Sequence, residues 1–466
     1  MAPNLWRAGL SLPLTFLLLA IPAAARAVPE EPRARAAEPE EPRARAAFRV
    51  GPVKAAAPAP ALPVLERSGA AAGRVYYVDS RKGDDDAQGT SPGKAWRSLG
   101  RAGDARLRPG DTLLFKRAGR WKGTLELRGR GTAARRIVVA AYGKGPRPKI
   151  SGRAGDCVVV KGAYYRISEL RASDCGWGGF RIDGRHNDLW DVYADHNVAG
   201  VWVTERGGRN VIRNSQMVGN DRMSVNDGEP DNDSGAFGVL LNGDDNRVIG
   251  NLISGSYAPS QDYVSDGAAV EVYDGDRNLV THNMARDNET FAELGHSPGG
   301  TARGNRFANN VVTSTRKRGS FLITRGPGHL VGPVLGTVAV NNSVYLPARA
   351  TIGVSCADGC SAKILVMRNN AIKVGGVVGF EDGSGIDDAG GVYRGRTTGL
   401  KLGHRSIRAD PGFRSRRDLR LRAGASAIGQ GVPLGPSWYG GAGLAHDVAG
   451  RPVPRAKNPD SGAYQY

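Results

Sequence analysis

A motif that recurs between Gly178 and Asn310 constrains this chain more than anything else in it. A short β-branched strand leads into a turn containing Gly or Asp, then an Asn, a second apolar strand, and a further Asn or Asp. The copies run Gly179 to Asp191 through Asn187, Gly200 to Asn214 through Asn210, Gly238 to Asn251 through Asn246, and Ala269 to Asn283 through Asn278. A degenerate copy spans Gly304 to Asn310. A short repeating period makes each copy one structural unit, able to bury its apolar face only against its neighbours.

The spacing selects the kind of solenoid. Asn187 to Asn210 is 23 residues and Asn278 to Asn305 is 27. Runs of three or four Val, Ile, Leu, Phe or Trp, punctuated by Gly and Asn and lacking helical periodicity, read as strands. Roughly two dozen residues per copy matches one coil of a parallel β-helix. The Leu-x-x-Leu-x-Leu spacing of leucine-rich repeats is absent. Asn suits the turns because it tolerates left-handed backbone angles, and stacked amides can hydrogen-bond from coil to coil. The expected fold is all-β, a single-stranded parallel β-helix.

Two intervals are longer: 36 residues from Asn210 to Asn246 and 32 from Asn246 to Asn278. The extra segments, 222–235 and 257–267, are acidic, although the chain carries 64 Lys and Arg against 45 Asp and Glu. Insertions in a solenoid become loops on one face, often the binding face. The net charge of +19 favours anionic partners.

Arg7, an apolar run from Leu10 to Ile21, and Ala25-Arg26-Ala27 form a secretory signal pattern, with a retained anchor as the alternative. Residues 1–27 are therefore expected to be removed, leaving no transmembrane segment and a protein that is secreted, periplasmic or on the cell surface. An acidic polysaccharide is then the expected partner and nucleic acid is not; a monomer is expected. Residues 28–73 hold Pro-Glu-Glu-Pro-Arg-Ala-Arg-Ala-Ala twice in a Pro/Ala-rich stretch that cannot bury a core, and read as a disordered linker. Four cysteines suit an oxidising compartment. Cys356 and Cys360 can close a small loop. Cys157 and Cys175 fall on adjacent coils, as a disulfide or as buried thiols.

Folded sequence begins with Arg74-Val-Tyr-Tyr-Val-Asp-Ser and continues through Arg108-Pro-Gly-Asp-Thr-Leu-Leu-Phe115 and Arg136-Ile-Val-Val-Ala-Ala-Tyr-Gly143. It closes with Asp410-Pro-Gly-Phe413, Asp418-Leu-Arg-Leu421 and Asp460-Ser-Gly-Ala-Tyr464. With the coils between, residues 74–466 resemble the secreted right-handed parallel β-helix proteins of the pectate lyase-like superfamily, which includes pectate, alginate and chondroitinase-type lyases. The resemblance implies an N-terminal capping region over 74–150, coils over 151–372, and C-terminal loops and exit over 373–466. It implies cleavage of a uronic-acid polymer by β-elimination, with Ca²⁺ held by acidic or amide side chains and Lys or Arg as base.

Aligning the copies stacks Asp183, Asn242 and Asp274 at one corner and sets Glu271 one coil before Glu293. Two carboxylates so placed repel unless a cation or a proton lies between them, which makes them candidates for catalysis and, with Asp274, for Ca²⁺. His296, Arg303 and Arg325 are the candidate acid, base or uronate clamp; Asp266, Tyr273 and Asp274 are candidate substrate contacts. No Lys stands between Gly178 and Arg316, so the Lys-base form of the lyase pattern is not met there. The alternatives are a glycoside hydrolase using two carboxylates, or a non-catalytic glycan-binding or surface protein whose corner acids only tie turns. Trp177, Trp202 and Tyr273 are candidate sugar-stacking aromatics, while Trp190 alternates as a core residue would.

Overall fold

The structure is a computed structural model and describes residues 73–455 and 457–466. The expected signal and nearly all of the expected linker lie outside these residues. Each coil gives one strand to each of three parallel sheets, building a right-handed parallel β-helix. The first sheet has twelve strands, from Val75–Val78 to Gly385–Ala389. The second begins at Arg120–Lys122, Lys149–Gly152 and Arg171–Cys175. The third contains Gly178–Ile182, Ala199–Val203, Phe237–Leu241, Ala268–Tyr273, Thr290–Gly295 and Arg318–Arg325.

Period-two alternation decides which side chains enter the core. In the third sheet Phe180, Val201, Val239, Val270, Ala292 and Leu322 occupy one inward column and are fully buried. Each larger member of the column contributes about 1.5–3 kcal/mol of transfer free energy. The intervening residues point outward, and Trp202, Leu240, Glu271, Glu293 and Ile323 make up the adjacent outward column.

The corners refine the role of the Asn residues. The left-handed residue is generally the one before the marker: His186, Arg209, Asp245 and Arg277 have φ of 54–60°. The marker itself points inward and is buried. The Asn210 Oδ1 accepts the Asn187 N–H at 2.8 Å, and Asn246, Asn278 and Asn305 continue the ladder at 2.9–3.0 Å. A second ladder runs from Ser215 through Asn251, Asn283, Asn310 and Asn342 to Asn370. Each marker amide thus satisfies backbone N–H groups that the corner removes from the sheet.

Two expectations are corrected. Coils do not stop near residue 372: Ala371–Glu381 pairs with both Ser343–Leu346 and Ala350–Ala357, and Val392–Thr398 follows it. The Gly-rich sequence there reflects close approach, because a Cβ on Gly375 or Gly376 would lie 2.2 Å from a neighbouring carbonyl oxygen. Trp190 is 41% exposed, with the Arg213 guanidinium over its ring, and Leu189 is the inward residue instead. Cys157 is bonded to Cys175 and Cys356 to Cys360. Among the described residues no helix is long and apolar enough to cross a membrane.

Candidate functional site

The two long coils raise a wall beside the outward face of the third sheet. Residues 222–235 and 257–267 each fold into a small antiparallel hairpin. The hairpins lock together through their acids. Asp233 Oδ2 accepts from Ser260 Oγ and the Gln261 N–H, both at 2.7 Å, while Asp262 Oδ2 accepts the Asn232 and Asp233 N–H groups. Burial pushes the Asp233 carboxyl up, but the hydrogen bonds outweigh it and hold the group below the usual range. Asp233 therefore ties the wall together. The wall carries Tyr263 and Asp266 towards the sheet.

On the sheet, Glu271 and Glu293 are register partners on adjacent strands. Adjacent strands lie about 4.8 Å apart. At that separation two like charges repel by about 3 kcal/mol at an effective dielectric near 20. One cation meets them: buried Arg325, from the next strand, donates through Nη2 to Glu293 Oε1 and through Nη1 to the Leu294 carbonyl at 2.6 Å. Burial first, and then the Glu293 charge, push Glu271 well above the ordinary carboxylate range, with Arg325 opposing. Asp266 is pushed up to about 7, again by burial and then by Glu293. The site is thus a cluster of three carboxyl groups with Arg325 as its cation. Glu293 is the member paired with Arg325, while burial favours the protonated forms of Glu271 and Asp266.

Tyr273 lies two residues past Glu271 on the same outward face, and its hydroxyl is held above its usual range by burial, Asp274 and Glu271. Upstream, Trp202 and Leu240 continue the column. Trp202 rests against Trp177, with ring centroids 4.5 Å apart, and its Nε1 donates to Asn242 Oδ1 at 2.6 Å. The outward column therefore passes from a fixed aromatic pair to the acid cluster.

The other candidates serve elsewhere. Asp274 Oδ1 accepts from the Ser297 N–H at 2.8 Å and from its hydroxyl at 3.0 Å, anchoring the loop after the Glu293 strand. His296 is buried, with its N–H on the Val331 carbonyl and its Nδ1 beside the Ser297 carbonyl. Arg303 is exposed at a corner where Asp276 accepts its N–H at 2.7 Å. The residues present do not fit the expected Ca²⁺ site. That ion takes six to eight oxygen ligands, yet Glu293 is committed to Arg325 and Asp274 to Ser297, which leaves Glu271 as the one uncommitted carboxyl of the expected set. Among the described residues no three His, Cys, Asp or Glu side chains are grouped to hold a metal.

Sequence reasoning missed His329 and Tyr263. His329 stands in the loop between Arg318–Arg325 and Thr337–Val340, and its proton affinity is lowered by burial and then by Arg325, while Asp358 and Glu293 oppose. The signal was present: Asn310 to Asn342 spans 32 residues against 27 for the preceding coil.

Comparison with known proteins agrees with this architecture. A family model described as a right-handed beta helix region matches residues 156–335. A pectate lyase superposes with a TM-score of 0.58 at 15% identity, over 85% of this chain and 97% of its own. XylC, solved with xylose, gives 0.52 at 9%, over 84% and 98%. A family 136 glycoside hydrolase, a lacto-N-biosidase from Eubacterium ramulus, gives 0.50 at 14%, over 72% and 67%. At such identities the likeness is one of fold. No curated protein matches the sequence significantly.

Proposed function

We propose that this chain, which has the pectate lyase-like right-handed β-helix fold, is a secreted carbohydrate-active enzyme that hydrolyses glycosidic bonds at the outward face of its third sheet. One observation carries the reading: of two carboxyl groups in register, one is paired with Arg325 and the other is buried without a cation of its own, which raises its proton affinity. Glycoside hydrolysis uses such a division, a protonated acid for the leaving oxygen and an ionised carboxylate for the anomeric carbon. Glu271 is the proton donor and Glu293 the carboxylate. Retaining enzymes hold their two carboxyl groups ~5–5.5 Å apart, a separation that register partners on strands about 4.8 Å apart can adopt. Glu293 then acts as nucleophile, and Glu271 afterwards takes the proton of the incoming water. Trp202 and Tyr273 supply apolar faces on which sugar rings stack.

β-Elimination on a uronic-acid polymer is the second reading, favoured by Arg325 and His329. A guanidinium pairs with a uronate carboxylate, and an imidazole kept neutral by burial can take the C5 proton. Against it, the Arg325 guanidinium is already occupied by Glu293 and the Leu294 carbonyl. The test is incubation with neutral and acidic polysaccharides, following reducing ends, absorbance of unsaturated products, and product anomers by NMR. Reducing ends with retained configuration and no absorbance support hydrolysis. Growing absorbance supports elimination, and silence in all assays overturns both.

A further inference from the structure

The basic charge that suggested an acidic partner does not gather at the carboxyl cluster. It gathers on the second sheet near the N-terminal end of the solenoid, around a cavity of about 480 Å³. Arg81, Arg120, Arg147, Lys149 and Arg171 line it, together with Tyr193. Arg120, Lys149, Arg171 and Tyr193 form one outward column, each in register with the next on consecutive coils. The cations therefore repeat at about 4.8 Å, close to the advance of one sugar unit in an extended chain.

Three of the five cations already hold carboxylates. Arg147 pairs with Asp191 at 2.7 Å, Lys149 with Asp174 at 2.8 Å, and Arg171 with Asp195 at 2.6 Å. These pairs fix the side chains along the cavity wall. Arg81 and Arg120 are exposed, and among the described residues neither guanidinium meets a carboxylate. The Tyr193 ring lies under the Arg171 guanidinium at 5.3 Å. The cavity thus offers two uncommitted guanidinium groups, a row of fixed cations and an aromatic face, within the volume range of small-ligand sites. Guanidinium groups bind carboxylates and sulfates through paired N–H donors, and a ring beside them takes the apolar face of a pyranose.

We propose that this cavity is a second glycan-binding site, separate from the carboxyl cluster, that takes two or three units of an acidic glycan bearing carboxylate or sulfate groups. It lies on a different sheet from Glu271 and on earlier coils, so it holds an anionic stretch of polymer without exposing that stretch to the carboxyl cluster.

Calorimetric titration of the full-length protein with trigalacturonate, a sulfated heparin disaccharide and inorganic phosphate tests the assignment. Saturable binding of either sugar is expected, weakening with added salt. The Arg81→Glu/Arg120→Glu variant should weaken it at least tenfold, and Glu271→Gln should leave it unchanged. Tyr193→Ala should weaken the sugars more than phosphate; this arm separates a glycan site from a small-anion site. The proposal is overturned if neither sugar binds saturably or if the charge-reversed variant, with an unchanged Tm, binds as tightly as the parent. Loss of binding in Glu271→Gln, or phosphate binding as tightly as the sugars, also overturns it.

Discussion

Glu271 stands directly in register with Glu293 on the next coil, and the Arg325 guanidinium grips only the second of the two. The backbone holds the carboxyl groups together whatever their charge, so one proton and one guanidinium must settle the repulsion. Glu271→Gln removes the proton donor and Glu293→Gln the carboxylate. Each should lower kcat at least 100-fold, the scale of a positioned acid or base, with circular dichroism unchanged. If Glu293 is the nucleophile, azide should restore turnover to Glu293→Gly and yield a glycosyl azide of inverted configuration. Undiminished turnover in either Gln variant would remove the pair from the mechanism.

The proton on Glu271 sets an alkaline limit. Because burial and Glu293 raise its proton affinity, activity should fall as pH climbs through that raised value, above the ordinary carboxylate range; Glu271→Asp should move the limb.

Stability follows the same direction at Asp266, whose folded-state pKa lies near 7, above the unfolded value of about 3.9. A raised carboxyl stabilises the fold fully below the unfolded pKa, and that contribution is lost as pH climbs to the folded one. A shift of this size is on the order of 2–4 kcal/mol, taken at the lower end for a half-buried group. Asp266→Asn should therefore gain on the parent in urea midpoint between pH 4 and pH 8. A constant difference across that range would show that Asp266 titrates normally.

Much of this was legible in the sequence, for a physical reason. A solenoid repeats its environment, so inward Val270 and outward Glu271 each have equivalents one coil away, and spacing alone sets Glu271 beside Glu293. The ruler fails where coils differ in length. Asp274 looked like a ligand because it is an acid at a corner, but corners need acceptors for their turn N–H groups, and Ser297 supplies the donors. His329 reaches the site from a loop whose conformation no repeat encodes. The docking of the two acidic hairpins was equally hidden. Their charges suggested a cation, whereas backbone N–H groups of the facing hairpin satisfy Asp233 and Asp262.

Arg325 should matter to fold and chemistry together. Its guanidinium is 5% exposed and also satisfies the Leu294 carbonyl. Arg325→Met leaves Glu293 half-buried without its cation, a loss of about 3–5 kcal/mol for a broken buried pair. The variant should recover stability at acidic pH, where Glu293 is protonated, and lose it at pH 8. Adding Glu293→Gln should relieve much of the penalty. Equal losses at both pH values would mean that Arg325 acts through packing alone.

The Asn ladder predicts a different signature, because it lies outside the carboxyl cluster. Asn278 Oδ1 accepts from both the backbone N–H and the side-chain amide of Asn246, at 2.9 and 3.1 Å, and its own amide donates to Asn305 Oδ1 at 3.2 Å. Asn278→Ala strands two buried donors on the previous coil, while Asn305 Oδ1 loses one of its two donors and keeps the backbone N–H of residue 278. Each stranded group costs about 1–3 kcal/mol, offset in part where water enters the cavity. Asn278→Asp keeps the acceptor but buries a charge and loses the donor, so it should be no better near neutrality and should improve as the pH falls. In a solenoid the damage spreads through nearest neighbours, so hydrogen exchange should rise first at Asn246, Asn278 and Asn305. Exchange rising evenly along the whole stack would show that the coils unfold as one unit and that the ladder stabilises all of them together.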